Sequence, residues 1–193
     1  MPLPSRVWAS RLTSTIERLV PRRRFGALVA DSITENLRRR LERRVLSPEG
    51  QGRRSFLFFE VGICGRRADA ISLELWRSRE QLIQGYEFKA SRADWLNELR
   101  DPAKAAPAVA VCDRFWLITP PDIVRPGEVP EHWGHLVAEP TGYLRPFRVA
   151  KQAPPLTPLL DRTFFLTLMK LAWYDGSGRP QIALDRPKGL VPR

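Results

Sequence analysis

Cysteine, histidine and lysine are all scarce in this sequence, and each scarcity narrows the range of functions. Cys64 and Cys112 are too few for a disulfide framework and too far apart for a Cys-x-x-Cys metal knuckle. They are expected as reduced, half-buried thiols of a cytosolic protein. His132 and His135, the only histidines, have no further Cys or His neighbours and read as loop residues rather than zinc ligands. Long apolar runs are missing too: nothing approaches the roughly 20 residues a bilayer-spanning helix needs. The opening segment MPLPSRVWASRLTSTIERLV is rich in Arg and Ser, without the continuous apolar stretch of a secretory signal. It reads as an amphipathic arm, although a transit peptide shares that composition.

What the chain has in abundance is arginine. The formal net charge is +11 with a pI near 10.7, yet Lys89, Lys104, Lys151, Lys170 and Lys188 are its only lysines. Such a balance attracts polyanions, either nucleic acid or an anionic membrane surface, and charge alone does not choose between them. A length of 193 residues suits one ordinary core with appended ends. The expected division is a basic N-terminal arm over 1–30, a core over 31–150, and a C-terminal helix and tail over 151–193.

Local patterns supply the order of elements. Pro21-Arg22-Arg23-Arg24 is read as a helix break carrying positive charge, either a solvated tether or a backbone-phosphate contact. From Asp31 to Leu46, Ile33, Leu37, Leu41 and Val45 recur at helical spacing, with Asp31 or Ser32 as the cap and a run of arginines outside. Pro48, Gly50 and Gly52 mark a turn. Phe56–Val61, Ala68–Leu75 and Leu82–Lys89 read as three strands of a meander. Ser91 and Asp94 form a capping box before the apolar face of Trp95, Leu96 and Leu99. A second helical piece is expected from Ala103 toward Cys112, although Pro107 weakens it. Arg114–Thr119 reads as a buried strand stopped by Pro120-Pro121, followed by a proline-rich link, a strand at Gly134–Glu139, and a partner at Tyr143–Ala150. A closing helix spans Asp161–Tyr174. The order of helix, three strands, helix and strand predicts a mixed α/β layer fold.

One strand face carries chemistry. Side chains alternate along a strand, so Glu87 and Lys89 share a face, and the short Trp76–Gln81 connection predicts an antiparallel hairpin that brings Asp69 beside them. Pairing Leu75 with Leu82 or Ile83 would achieve this. Two carboxylates pressed together raise each other's pKa, and a divalent cation between them relieves the repulsion. Mg²⁺, or Mn²⁺, suits a site of one or two carboxylates plus water and substrate phosphate. There it would polarise a phosphoryl oxygen and activate water, with Lys89 steadying the developing charge. An exposed cross-strand salt bridge among the same three residues is the bland alternative.

The segments Arg67-Ala68-Asp69, Gly85-Tyr86-Glu87-Phe88-Lys89-Ala90-Ser91-Arg92-Ala93-Asp94-Trp95 and Cys112-Asp113-Arg114-Phe115-Trp116 resemble the PD-(D/E)XK nuclease superfamily. Within it, they resemble the MmcB-like DNA-repair proteins. The resemblance covers roughly Phe56–Val137 and implies a restriction-endonuclease-like core, with Asp69, Glu87 and Lys89 as the active site and the Phe88 carbonyl as a further metal ligand. Ala68 stands where the motif's name has proline. Glu60, at the end of the first strand, is the favoured auxiliary acid over Glu35, which balances arginines along the first helix.

Arg66, Arg67 and Arg92 flank the proposed site, and Arg38, Arg39 and Arg43 lie on the basic helix; all six are expected to meet DNA phosphates. Trp116, Phe164, Phe165 and Trp173 read as core. The expected function is an Mg²⁺-dependent DNA nuclease of repair or of a mobile element, cytoplasmic and nucleoid-associated, with no membrane partner. A non-catalytic DNA-binding module is the alternative, and the sequence leaves a homodimer open.

Overall fold

The computed structural model describes residues 22–46, 55–75, 80–139, 146–159 and 162–173. The N-terminal arm up to residue 21, the turn predicted over Ser47–Arg54 and the tail beyond Asp175 lie outside them. Helix α1 (Arg22–Val45) is followed by strands β1 (Ser55–Ile63), β2 (Arg66–Glu74) and β3 (Ile83–Phe88). Next come helix α2 (Arg92–Arg100), a 3-10 turn at Pro102–Lys104, the short helix α3 (Ala106–Ala110) and strand β4 (Arg114–Thr119). Strands β5 (Gly134–Ala138) and β6 (Phe147–Lys151) and helix α4 (Arg162–Trp173) complete the described chain. The expected mixed α/β class holds.

The six strands form one sheet in sequence order. β1, β2 and β3 are antiparallel neighbours, β3, β4 and β5 run parallel, and β6 turns back antiparallel on β5. The parallel step from β3 to β4 requires a crossover, which α2 and α3 provide.

Each sheet face is covered by its own helices. On one face Leu37 and Leu41, one helical turn apart on α1, are sealed against Tyr86, Phe88, Trp116, Ile118, Leu136 and Phe147. On the other face Trp95 of α2, Ala108 of α3, and Phe164 and Leu168 of α4 pack over Phe58, Val61, Ile71, Phe115 and Leu117. β3 and β4, buried on both faces, therefore read as nearly continuous apolar runs. Glycine is required where rings press on the backbone. A Cβ at Gly85 would lie 2.5 Å from the Phe115 ring, and one at Gly134 would lie 2.4 Å from that of Trp116.

Several boundaries differ from the sequence expectation. Helix α1 begins at Arg22, so the arginine run is helical and Asp31 and Ser32 lie inside the helix instead of capping it. The expected arm over 1–30 thus contributes its last nine residues to α1. A proline ahead of a first turn is compatible with helix, because the first N–H groups lack intrahelical partners anyway. The piece from Ala103 toward Cys112 shortens to α3, with Pro107 in its first turn. His135 lies within β5, not in a loop, and is buried. Phe165 is 47% exposed while its neighbour Phe164 is core, since α4 buries a single stripe. Trp116 and Phe164 are core as expected, and the side chain of Trp173 lies outside the described residues. Cys64 is exposed and Cys112 fully buried, so neither is half-buried.

Candidate active site

The β1–β2 hairpin departs from regular pleating where the acids stand. Phe59 pairs with Ala70 and Val61 with Ala68, while Glu60 and Asp69 drop out of the ladder together. Glu60 has φ +54°, a left-handed backbone that non-glycine residues enter only under constraint. On either side of this step the same face is kept by Phe58 and Val61 on β1, and by Ile71 and Ala68 on β2. Two residues intervene instead of one, so strict alternation fails at Asp69 and its side chain is turned toward β3. There Asp69 Oδ2 accepts the Phe88 N–H at 2.8 Å. The β2–β3 ladder differs in register from the expected pairing. Leu73 faces Ile83 and the Glu74 N–H donates to Leu82 O, so one further step of the pairing of Ala70 with Tyr86 sets Asp69 opposite Glu87.

Beside it lies a buried ionic cluster. Lys89, 5% exposed, donates to Glu87 Oε1 at 2.6 Å and lies 2.7 Å from Glu98 Oε2 on α2. Glu87 is 7% exposed and Glu98 4%. Asp94, one helical turn before Glu98, stands 4.0 Å from Lys89 Nζ with about half its side chain in solvent. The exposed cross-strand salt bridge is therefore not what the chain builds. Glu98 carried no motif in the sequence. Its only signal is position: it follows Asp94 by four residues on the helix face that looks onto the strand end.

Electrostatics match the burial. Desolvation raises the Asp69 carboxyl, against the lowering effect of the Phe88 N–H and of Lys89. Desolvation first, and the negative charge of Asp69 second, push Glu87 up to about 7 despite its bond to Lys89. Burial alone would lower Lys89; Glu87 and Glu98 outweigh it and hold the ammonium above its ordinary value.

The donor set admits a cation. Asp69 uses Oδ2 and Glu87 uses Oε1, while the second oxygen of each makes no hydrogen bond among the described residues. Neither of those oxygens is among the buried orphan atoms, which are Arg38 Nε and Glu98 Oε1, so both reach solvent. Among the described residues no three Asp, Glu, His or Cys side chains converge as a ready-made metal group. A cation here would rest on two carboxylates, the Phe88 carbonyl and water.

The remaining expected residues fall into different settings. Glu60 pairs with Arg38 of α1 and, at 3.3 Å, with Arg67, and its charge acts on Asp69. Glu35 is engaged by Arg39 on the outer face of α1 at 3.0 Å. Arg38 also lies 5.4 Å from the centre of the Phe59 ring, so it is built into the helix–sheet contact. Arg39, Arg43, Arg66 and Arg67 are exposed. Arg92 has another task. Its guanidinium makes a bidentate pair with Glu128 and donates to Ile123 O, tying the 120s loop to α2. Arg92 holds the Glu128 carboxyl down at about 2, and the Trp95 indole also donates to it. Ser91 accepts the Asp94 N–H as a helix N-cap, while Asp94 also borders the cluster.

No family model and no curated protein matches the chain. Among solved structures, a protein of unknown function from Silicibacter pomeroyi is similar at 24% identity, over 69% of this chain and 80% of that one, with a TM-score of 0.48. No helix among the described residues is long and apolar enough to cross a membrane.

Proposed function

We propose that the chain is a divalent-cation-dependent DNA phosphodiesterase of the PD-(D/E)XK type. The observation that carries this reading is the juxtaposition of Asp69 and Glu87, each with one uncommitted oxygen, beside a lysine almost removed from water. Two carboxylates in that setting repel each other, and a cation between them relieves the strain. The order of helix, three strands, helix and strand, and the motif residues Asp69 and Glu87-Phe88-Lys89, add support.

In this reading Asp69, Glu87 and the Phe88 carbonyl hold Mg²⁺ or Mn²⁺, which supplies a Lewis acid and an acidified water. The chain's own residues do the rest. Asp69, tethered to the Phe88 N–H, is fixed in direction before any ligand arrives. Glu98 keeps Lys89 charged and aimed when Glu87 turns to another partner, leaving the ammonium to stabilise charge on phosphoryl oxygens. Glu60, braced by Arg38 and Arg67, serves as auxiliary acid next to Asp69. Arg66 and Arg67 at the hairpin, with Arg39 and Arg43 on α1, offer exposed charge to DNA phosphates. Repair or mobile-element duty, a nucleoid location and a homodimer belong to the same proposal.

A specific observation favours a second reading, a DNA-binding module that does not cut: Lys89 is already bonded on both sides, to Glu87 and Glu98. One experiment separates them. The purified chain is incubated with single-stranded, double-stranded and branched DNA, with Mg²⁺ or Mn²⁺ and with EDTA. Cleavage that needs metal and is lost in folded Asp69→Asn and Glu87→Gln supports the nuclease; equal cleavage by both variants removes it. Binding without cleavage under every condition selects the module.

A further inference from the structure

The sheet face that carries Glu87 continues, two strands away, into a cleft. Glu87 pairs with Leu117, Leu117 with His135, and His135 with Lys151. Residues paired across adjacent strands project to the same face, and strands lie about 4.8 Å apart, so His135 stands roughly 10 Å along this row from Glu87. Above His135 and Val137 opens a cavity of about 470 Å³, walled by Pro120, Pro121, Val124 and Val129 of the loop after β4 and by β6. That volume is in the range of small-ligand pockets, about 300–1,000 Å³. Its loop wall starts at Pro120, directly after the carboxyl end of β4 at Thr119, and its base lies on the face of β5 and β6.

Its chemistry is apolar below and cationic at the rim. Arg125 makes no side-chain ion pair among the described residues, and Arg148 is held only through Nε by Glu139, at 2.9 Å, with its side chain 60% exposed. Asp122 is the one acid among the lining residues. Lys151 lines the cavity too, but its ammonium donates to the carbonyls of Val129, Pro130 and Glu131, so it braces the loop. His135 is buried, with Nε2 bonded to Thr119 Oγ1 at 2.9 Å. Its Nδ1 has no partner among the described residues and is not a sealed-off orphan, so it opens on free space. Burial, and then the charge of Arg148, lower its pKa to about 4, so the ring is neutral and can meet an uncharged polar edge.

We propose that this cleft binds one nucleotide of the DNA strand that crosses the candidate active site, with the base against the proline and valine walls and its phosphate at Arg125 and Arg148. The proline and valine walls suit a base, and the guanidinium groups of Arg125, which makes no ion pair among the described residues, and of Arg148, held only through Nε, suit a phosphate. The path of the strand past Glu87 rests on the proposed function; the cleft itself does not.

The test therefore avoids catalysis. Binding of dTMP, of inorganic phosphate and of a labelled single-stranded oligonucleotide is measured in EDTA, for the full chain and for three variants. Ala150→Trp fills the cleft from its exposed edge, Arg125→Gln with Arg148→Gln removes the rim charge, and Arg162→Gln on α4 is the control. Affinity for dTMP should fall about tenfold or more in the first two and stay unchanged in the control, with a parallel loss for the oligonucleotide. Equal dTMP binding by all forms, or none by the parent chain, overturns the proposal. So does phosphate binding as tight as dTMP, which would mark a bare anion site. Nucleotide binding in a chain that never cuts DNA would leave this inference standing and the nuclease reading lost.

Discussion

Replacing Lys89 by methionine keeps most of the apolar stem but removes the ammonium that Glu87 and Glu98 share. Both acids are more than nine-tenths buried, and Glu98 Oε1 already lacks a partner among the described residues. Breaking a buried ionic group by deleting one member costs about 3–5 kcal/mol, because uncompensated charge stays behind. An exposed pair would cost under about 1 kcal/mol. In a chain of this size each kcal/mol moves the melting temperature by about 2–4 °C, so Lys89→Met should melt about 6–20 °C lower. Adding Glu98→Gln to the variant should recover about 1–3 kcal/mol, since one stranded charge is gone. Urea and thermal unfolding of the parent, both single variants and the double variant measure the cycle. A loss below about 1 kcal/mol for Lys89→Met, or no recovery in the double variant, would show that water reaches the cluster and that the burial argument fails. The outcome bears on activity assays, because a silent Lys89 variant is informative only if shown to be folded.

Two further outcomes are expected. His135 has a folded-state pKa lowered from 6.5 to about 4, so its contribution is complete above pH 6.5 and is lost as pH falls toward 4. After allowance for solvent at the cleft the loss is about 1–2 kcal/mol, read as a falling urea midpoint that His135→Gln should flatten; a midpoint rising over that window would contradict it. DNA affinity should weaken steeply with salt, and removing exposed Arg39 and Arg43 while sparing Arg38 should make the log–log slope shallower by about 1–2. An unchanged slope would place the phosphate contacts elsewhere.

Strand placement was legible because it depends on local pattern. β3 and β4 are short β-rich apolar runs with turn residues beside them, and the Ser91 cap is a contact between residues three apart. The short connection between β2 and β3 suffices to set Asp69 beside Glu87, although strict alternation, on which the expectation also rests, fails at Asp69. What stayed hidden depends on packing. The step at Glu60 and Asp69 breaks alternation on both strands at once, and no composition rule announces it. Glu98 looks like any helical acid until the fold sets α2 over the end of β3. Arg92 and Arg125 are both basic residues near the site, yet Glu128 holds the guanidinium of Arg92 and takes only the backbone N–H of Arg125, a difference set by the loop's path. The sequence puts the start of α1 late because the arginines at 22–24 carry no apolar residue and the run Phe25–Ala30, apolar apart from Gly26, shows no helical period.

Arg40 of α1 donates to the carbonyls of Glu139 and Pro146, about a hundred residues later in the chain. Leu37 and Leu41 bury themselves partly on Leu136 and Phe147, which are as distant. The first described helix therefore has no complete docking surface until β5 and β6 have formed. During synthesis at about 5–20 residues per second, it waits several seconds with its leucines incompletely covered and Arg40 without its two carbonyl partners. Contacts of such long sequence separation slow folding. In that interval the meander of β1, β2 and β3 can assemble first, and α1 closes over the sheet as a late step.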